Sequence, residues 1–209
     1  MTLGLGITAA AAQAAIVTGA ATTILASLPA VIGLAVLQLA LVIGLGIALP
    51  KLSPGAALGG FLLYSGVTGL FLAPLVAMFT VGSVAASFLV TAGMFGTMAF
   101  LGHTTKVSLN SVGTYGMMAL VGIILASLAN MFLHSTGLGA ILTYATILVF
   151  VGLTAYDAQK IKEMAQQEGR LSKDDVSRIA VMGALTLYLD FINLFIQILK
   201  IMGKAKSKD

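Results

Sequence analysis

Apolar residues in this chain come in long continuous runs, not in alternation. A membrane-spanning helix needs about 20 consecutive apolar residues. Seven such segments can be marked, at approximately residues 3–26, 30–49, 55–78, 81–101, 110–133, 138–158 and 178–200. The breaks between them have physical causes. Ser27 to Pro29 ends the first segment, and Pro50-Lys51-Leu52-Ser53-Pro54 ends the second with two prolines and a charge. Gly102 to Lys106 and His134 to Gly137 separate later segments, whereas Phe79 to Ser83 is a weak break with no charge. Continuous runs argue against a β-barrel, whose strands alternate. The pattern predicts an all-α polytopic membrane protein, with residues 1–209 forming a single domain of seven transmembrane helices.

The sixth connection, Lys160 to Asp175, reads as the one sizeable polar loop. Its first part, Asp157 to Gln167, is expected to extend the sixth helix into water, with Gly169 as a stop.

Composition strengthens the membrane reading. Hydrophobic residues make up 59% of the chain and charged residues 9%, with a mean hydropathy of +1.06. Before Asp157 the formal charges are Lys51 and Lys106, and all seven acidic residues lie from Asp157 onward. So little polarity could not cover a soluble surface. The 24 glycines suit close helix packing in lipid. The absence of cysteine excludes disulfides and thiolate metal sites. The few basic residues have no interleaved aromatics, which argues against nucleic acid and leaves the bilayer as the partner. With seven spans, Lys51, Lys106, Lys160, Lys162, Arg170, Lys173 and Arg178 share one side, against four lysines at the C-terminus. The positive-inside rule then places the N-terminus in the cytoplasm.

One carboxylate stands inside the last apolar run. An ionisable group at that position must face protein or a water-filled cavity. At 3.6 residues per turn, Thr186, Asp190, Asn193 and Gln197 form one polar stripe, a candidate pore lining. A second acid, Asp157, ends the sixth segment on a loose polar face with Thr154. If Asp157 and Asp190 meet in a low-dielectric site, they must share a proton and titrate as a coupled pair. Fully ionised, they offer oxygen ligands for Ca²⁺, although two carboxylates fall short of a full shell. Spacing leaves the meeting open. Asp190 lies roughly eleven residues, about 17 Å, into its span, and Asp157 lies nearer the surface. No nucleophile–base pair, phosphate-cradling loop or zinc-spaced cluster appears, so neither enzymatic activity nor a cofactor is expected.

Leu187-Tyr188-Leu189-Asp190-Phe191-Ile192-Asn193-Leu194-Phe195 resembles the C-terminal signature of the Bax inhibitor-1 (transmembrane Bax inhibitor motif) family. Tyr156-Asp157-Ala158-Gln159-Lys160-Ile161 resembles its sixth-helix motif, and Tyr64 to Gly69 with Pro74 and Thr91 to Gly96 resemble further family segments. The resemblance covers essentially the whole chain and, from its length, is to bacterial members. It implies seven helices with the C-terminal one central and surrounded by the other six. It also implies a pH-sensitive Ca²⁺ leak governed by a di-aspartyl pair, here Asp157 and Asp190, with Lys51 at the place of a basic latch. Lysine lacks the bidentate fork of the arginine often found there, and Gln38 stands near where some relatives carry an acid. The expected location is the inner (plasma) membrane, or an organelle membrane in a eukaryote. Family members usually open with a polar tail, so this chain reads as a trimmed one. The alternative reading is a regulator of a membrane quality-control protease or of stress and cell-death pathways, acting by protein contact.

Overall fold

The computed structural model describes residues 1–166 and 172–206. Helices account for nearly all of it: α1 (Thr2–Val17), α2 (Ala20–Ala26), α3 (Leu28–Ala48), α4 (Pro54–Ala77), α5 (Val81–Thr104), α6 (Asn110–Leu133), α7 (Thr136–Ala165) and α8 (Lys173–Met202). Among the described residues six helices, α3 to α8, are each long and apolar enough to cross a membrane, and there are seven spans if the bent pair α1 and α2 counts as one. The chain is an all-α polytopic membrane protein.

The first apolar run does not form the single continuous helix expected over residues 3–26. α1 and α2 are bent by 80° at their junction. The hinge is Gly19, at φ 77°, a left-handed conformation that glycine adopts without a Cβ clash. The hydroxyls of Thr22 and Thr23 donate to the Gly19 carbonyl, and the Thr18 hydroxyl donates to Ala14 O. A Thr-Gly pair in an apolar run therefore reads as helix by composition and as a corner by backbone chemistry.

The expected extension of the sixth helix beyond Asp157 is present: α7 continues to Ala165. The far end of the expected loop is helical as well, since α8 begins at Lys173. Ser172 caps α8 by accepting from Asp175 N at 3.2 Å, while its hydroxyl donates to Asp175 Oδ2 at 2.6 Å. The expected stop at Gly169, with Gln167, Glu168 and Arg170, lies outside the described residues.

The chain divides into two compact units. The first holds Met1–Thr80, the start of α8 up to Tyr188, and the tail from Lys204. Within it α1 and α3 pack on α4. Gly69 makes the α1 crossing: a Cβ there would meet Thr8 O and Ala11. Arg178 Nε donates to Leu52 O at 2.7 Å, which brings the start of α8 to the α3–α4 connection. The tail returns to the α4–α5 connection, with Thr80 N donating to Lys204 O and Lys206 N to Met78 O. Each pairing joins segments separated by four helices in the chain.

The second unit holds Val81–Gln166 and Leu189–Gly203. Here α5 and α6 pack on α7. Gly102 allows α5 to touch the Ala155 backbone of α7, where no side chain would fit. Buried Gln159 holds the α5–α6 connection, accepting from Leu109 N and donating to Val107 O, both at 2.8 Å. Lys162 Nζ donates to His103 O at the same end.

Candidate functional site

The site is built within the second unit from α7 and the later part of α8. α7 starts at Ser135, whose hydroxyl accepts from Leu138 N. It accommodates its buried hydroxyls because each bonds one turn back, Thr146 to Leu142 O and Thr154 to Phe150 O. The helix continues two turns past Asp157. That acid is half-buried within the helix. Asp190 is 4% exposed.

The two acids meet. Their side chains lie within hydrogen-bonding reach of one another, and the Thr154 side chain reaches Asp190 as well. Asp190 Oδ2 is buried without a hydrogen-bond partner. The chemistry of these contacts is restrictive. Two carboxylates are acceptors and cannot bond each other unless one carries a proton. The Thr154 hydroxyl donates to Phe150 O at 2.7 Å. A single proton on the acid pair lets the two carboxyls bond each other. The cation acting on it is Lys160, three residues beyond Asp157, whose ammonium also lies 5.6 Å from the Tyr156 ring centroid. Among the described residues no three His, Cys, Asp or Glu side chains converge on a metal-sized site.

A whole-chain family model, described as inhibitor of apoptosis-promoting Bax1, matches residues 1–207. The chain belongs to the Bax inhibitor-1 family. It is 49% identical over 175 residues to inner membrane protein YbhL of Escherichia coli (strain K12), covering 84% of this chain and 75% of that protein. It is 41% identical over 174 residues to an uncharacterized protein of Borreliella burgdorferi, 82% of this chain and 73% of the relative. An uncharacterized membrane protein of Streptococcus pyogenes serotype M1 is 37% identical over 172 residues, with the same two coverages. The protein is thus a bacterial family member and a multi-pass inner-membrane protein.

The remaining stripe residues bond within their own helix. Thr186 donates to Met182 O, Asn193 Nδ2 to Leu189 O, and Gln197 Oε1 accepts from Lys200 Nζ at 3.5 Å, each within α8. Lys51 is exposed, in the 3₁₀ turn Leu49–Lys51 of the first unit, and its latch role rests on the family resemblance.

A polar core in the first unit was not legible from the spacing. Tyr188 OH pairs with Thr8 Oγ1 at 2.6 Å. Gln38 Nε2 reaches Thr68 Oγ1 at 3.2 Å and Tyr64 OH at 3.5 Å. The rings of Phe61 and Tyr64 pack edge-on to Tyr188. Hydroxyls scattered through apolar runs were the available signal, but they are too common in membrane helices to single out a cluster.

Proposed function

We propose that the protein is a pH-sensitive leak for Ca²⁺, or for cations broadly, gated by Asp157 and Asp190. The observation that carries this reading is the side-chain contact between the two acids, with one Asp190 oxygen buried and unpartnered. In a low-dielectric site two touching carboxyls hold one proton between them. Removing that proton sets two like charges against each other. It also creates a pair of hard oxygen ligands suited to Ca²⁺ but short of its six to eight oxygens. A passing ion would keep part of its water shell and bind weakly enough to leave, as conduction needs. Flux therefore rises with pH as the shared proton is lost. Lys160 is the charged group that moderates Asp157, and Lys51 is the latch that the family resemblance offers.

The test is Ca²⁺ entry into proteoliposomes over a pH series. Asp157→Asn and Asp190→Asn should each flatten the pH response and change flux by about tenfold, the effect of roughly 1.4 kcal/mol at the gate. Unchanged flux and unchanged pH response in both variants would refute the gate. Absence of flux together with co-purification of a membrane protease would favour regulation by protein contact.

A further inference from the structure

The second unit contains another buried oxygen without a partner. Thr8, Ser65, Thr68, Thr91, Thr146 and Thr154 are buried, and each hydroxyl donates to the carbonyl four residues before it. This back-bond is how a hydroxyl is accommodated in an apolar helix. Ser87 breaks the rule. Among the described buried Ser and Thr side chains, its Oγ is the one with no hydrogen-bond partner, and the residue is fully buried.

Ring contacts place the part of α5 that carries Ser87 beside α8. The Phe88 ring lies 5.2 Å from that of Phe191 and 6.3 Å from that of Phe195, and Phe95 lies 5.6 Å from Phe191. α5 therefore packs against the later part of α8, with Phe191 level with the α5 turn that carries Thr91. Asp190 precedes Phe191, and Ser87 lies one turn from Thr91. Ser87 Oγ and Asp190 Oδ2, both buried without a hydrogen-bond partner, thus belong to two helices that pack on each other, in turns close in level.

We propose that Ser87 is a second ligand position on the conduction route, its hydroxyl and Asp190 Oδ2 together holding a partly hydrated divalent cation beyond the acid pair. The inference rests on the leak reading and adds a residue to it. A neutral hydroxyl supplies an oxygen without adding a charge, so it lets the cation step away from the carboxylates without trapping it. An unpartnered buried hydroxyl is costly for stability alone, and a ligand role accounts for its retention.

The chain has no cysteine, so Ser87→Cys creates a sole thiol. A cationic methanethiosulfonate reagent should modify it about tenfold faster than Ser65→Cys, a buried control whose native hydroxyl is bonded, and Ca²⁺ should slow the reaction. Ser87→Ala should reduce Ca²⁺ flux by about two- to tenfold, the range for one neutral hydrogen bond, without shifting the pH midpoint or lowering the melting temperature. Ser87→Thr should restore flux. Modification no faster than at Ser65→Cys, or full flux in a folded Ser87→Ala protein, overturns the proposal. If Asp190→Asn still changes flux in that case, the leak reading stands without Ser87. If neither aspartate variant matters, the leak reading falls first.

Discussion

Two residues of α8 separate two different solutions to polarity inside a membrane protein. Tyr188 belongs to the first unit and Asp190 to the second. Around Tyr188 the groups are neutral: its hydroxyl bonds Thr8, and its ring meets Phe61 and Tyr64. Around Asp190 the groups are acidic and incompletely satisfied, with Oδ2 and Ser87 Oγ lacking partners. Neutral hydroxyls can bond each other and their own helix backbones, so such a cluster stabilises. Carboxylates can do so only by holding a proton, which makes the second cluster conditional on its surroundings. The lesson is that neutral groups, among which only Gln38 Oε1 lacks a partner in the core around Tyr188, need no proton from outside, whereas a pair of acids does.

The sharpest way to break this comparison is to alter both centres. Tyr188→Ala should destabilise by about 3–5 kcal/mol, as for other large-to-small aromatic changes. Asp190→Asn should instead cost at most about 1 kcal/mol, because the amide keeps the shape and can donate to Asp157 in place of the shared proton. Thermal melts in detergent read both, and equal losses would mean that the acidic cluster is structural. A smaller effect tests the helix crossings on which each cluster rests. Gly69→Ala and Gly102→Ala should each cost about 1–3 kcal/mol, since the added methyl meets backbone of α1 or α7. Gly82→Ala, where a Cβ would meet nothing, is the control that should melt like the wild type. The finest test concerns the Tyr188–Thr8 hydrogen bond. Tyr188→Phe should cost about 1 kcal/mol, and adding Thr8→Val should cost less than the two changes made separately. Additive losses would show that the two hydroxyls do not work as a pair.

Much of the fold was legible before any coordinates. The apolar runs, the prolines at Pro50 and Pro54 and the charged breaks delimit helices because lipid leaves no alternative for unpaired backbone groups. The lone acid in the last run announced a site for the same reason. The bend at Gly19 was not legible, because hydropathy measures where a segment rests and not the φ of one residue. The continuation of α7 past Asp157 was legible, because an apolar run followed by alternating charges suits a helix that leaves lipid for water.

By itself the sequence determined the membrane class, the helical segments and the two acids, since each depends on side-chain chemistry that lipid cannot override. Whether those acids touch, and which hydroxyls find partners, was decided by packing. Hydrogen bonding depends on distances of a few ångströms between helices remote in the chain, and no local pattern of residues encodes them.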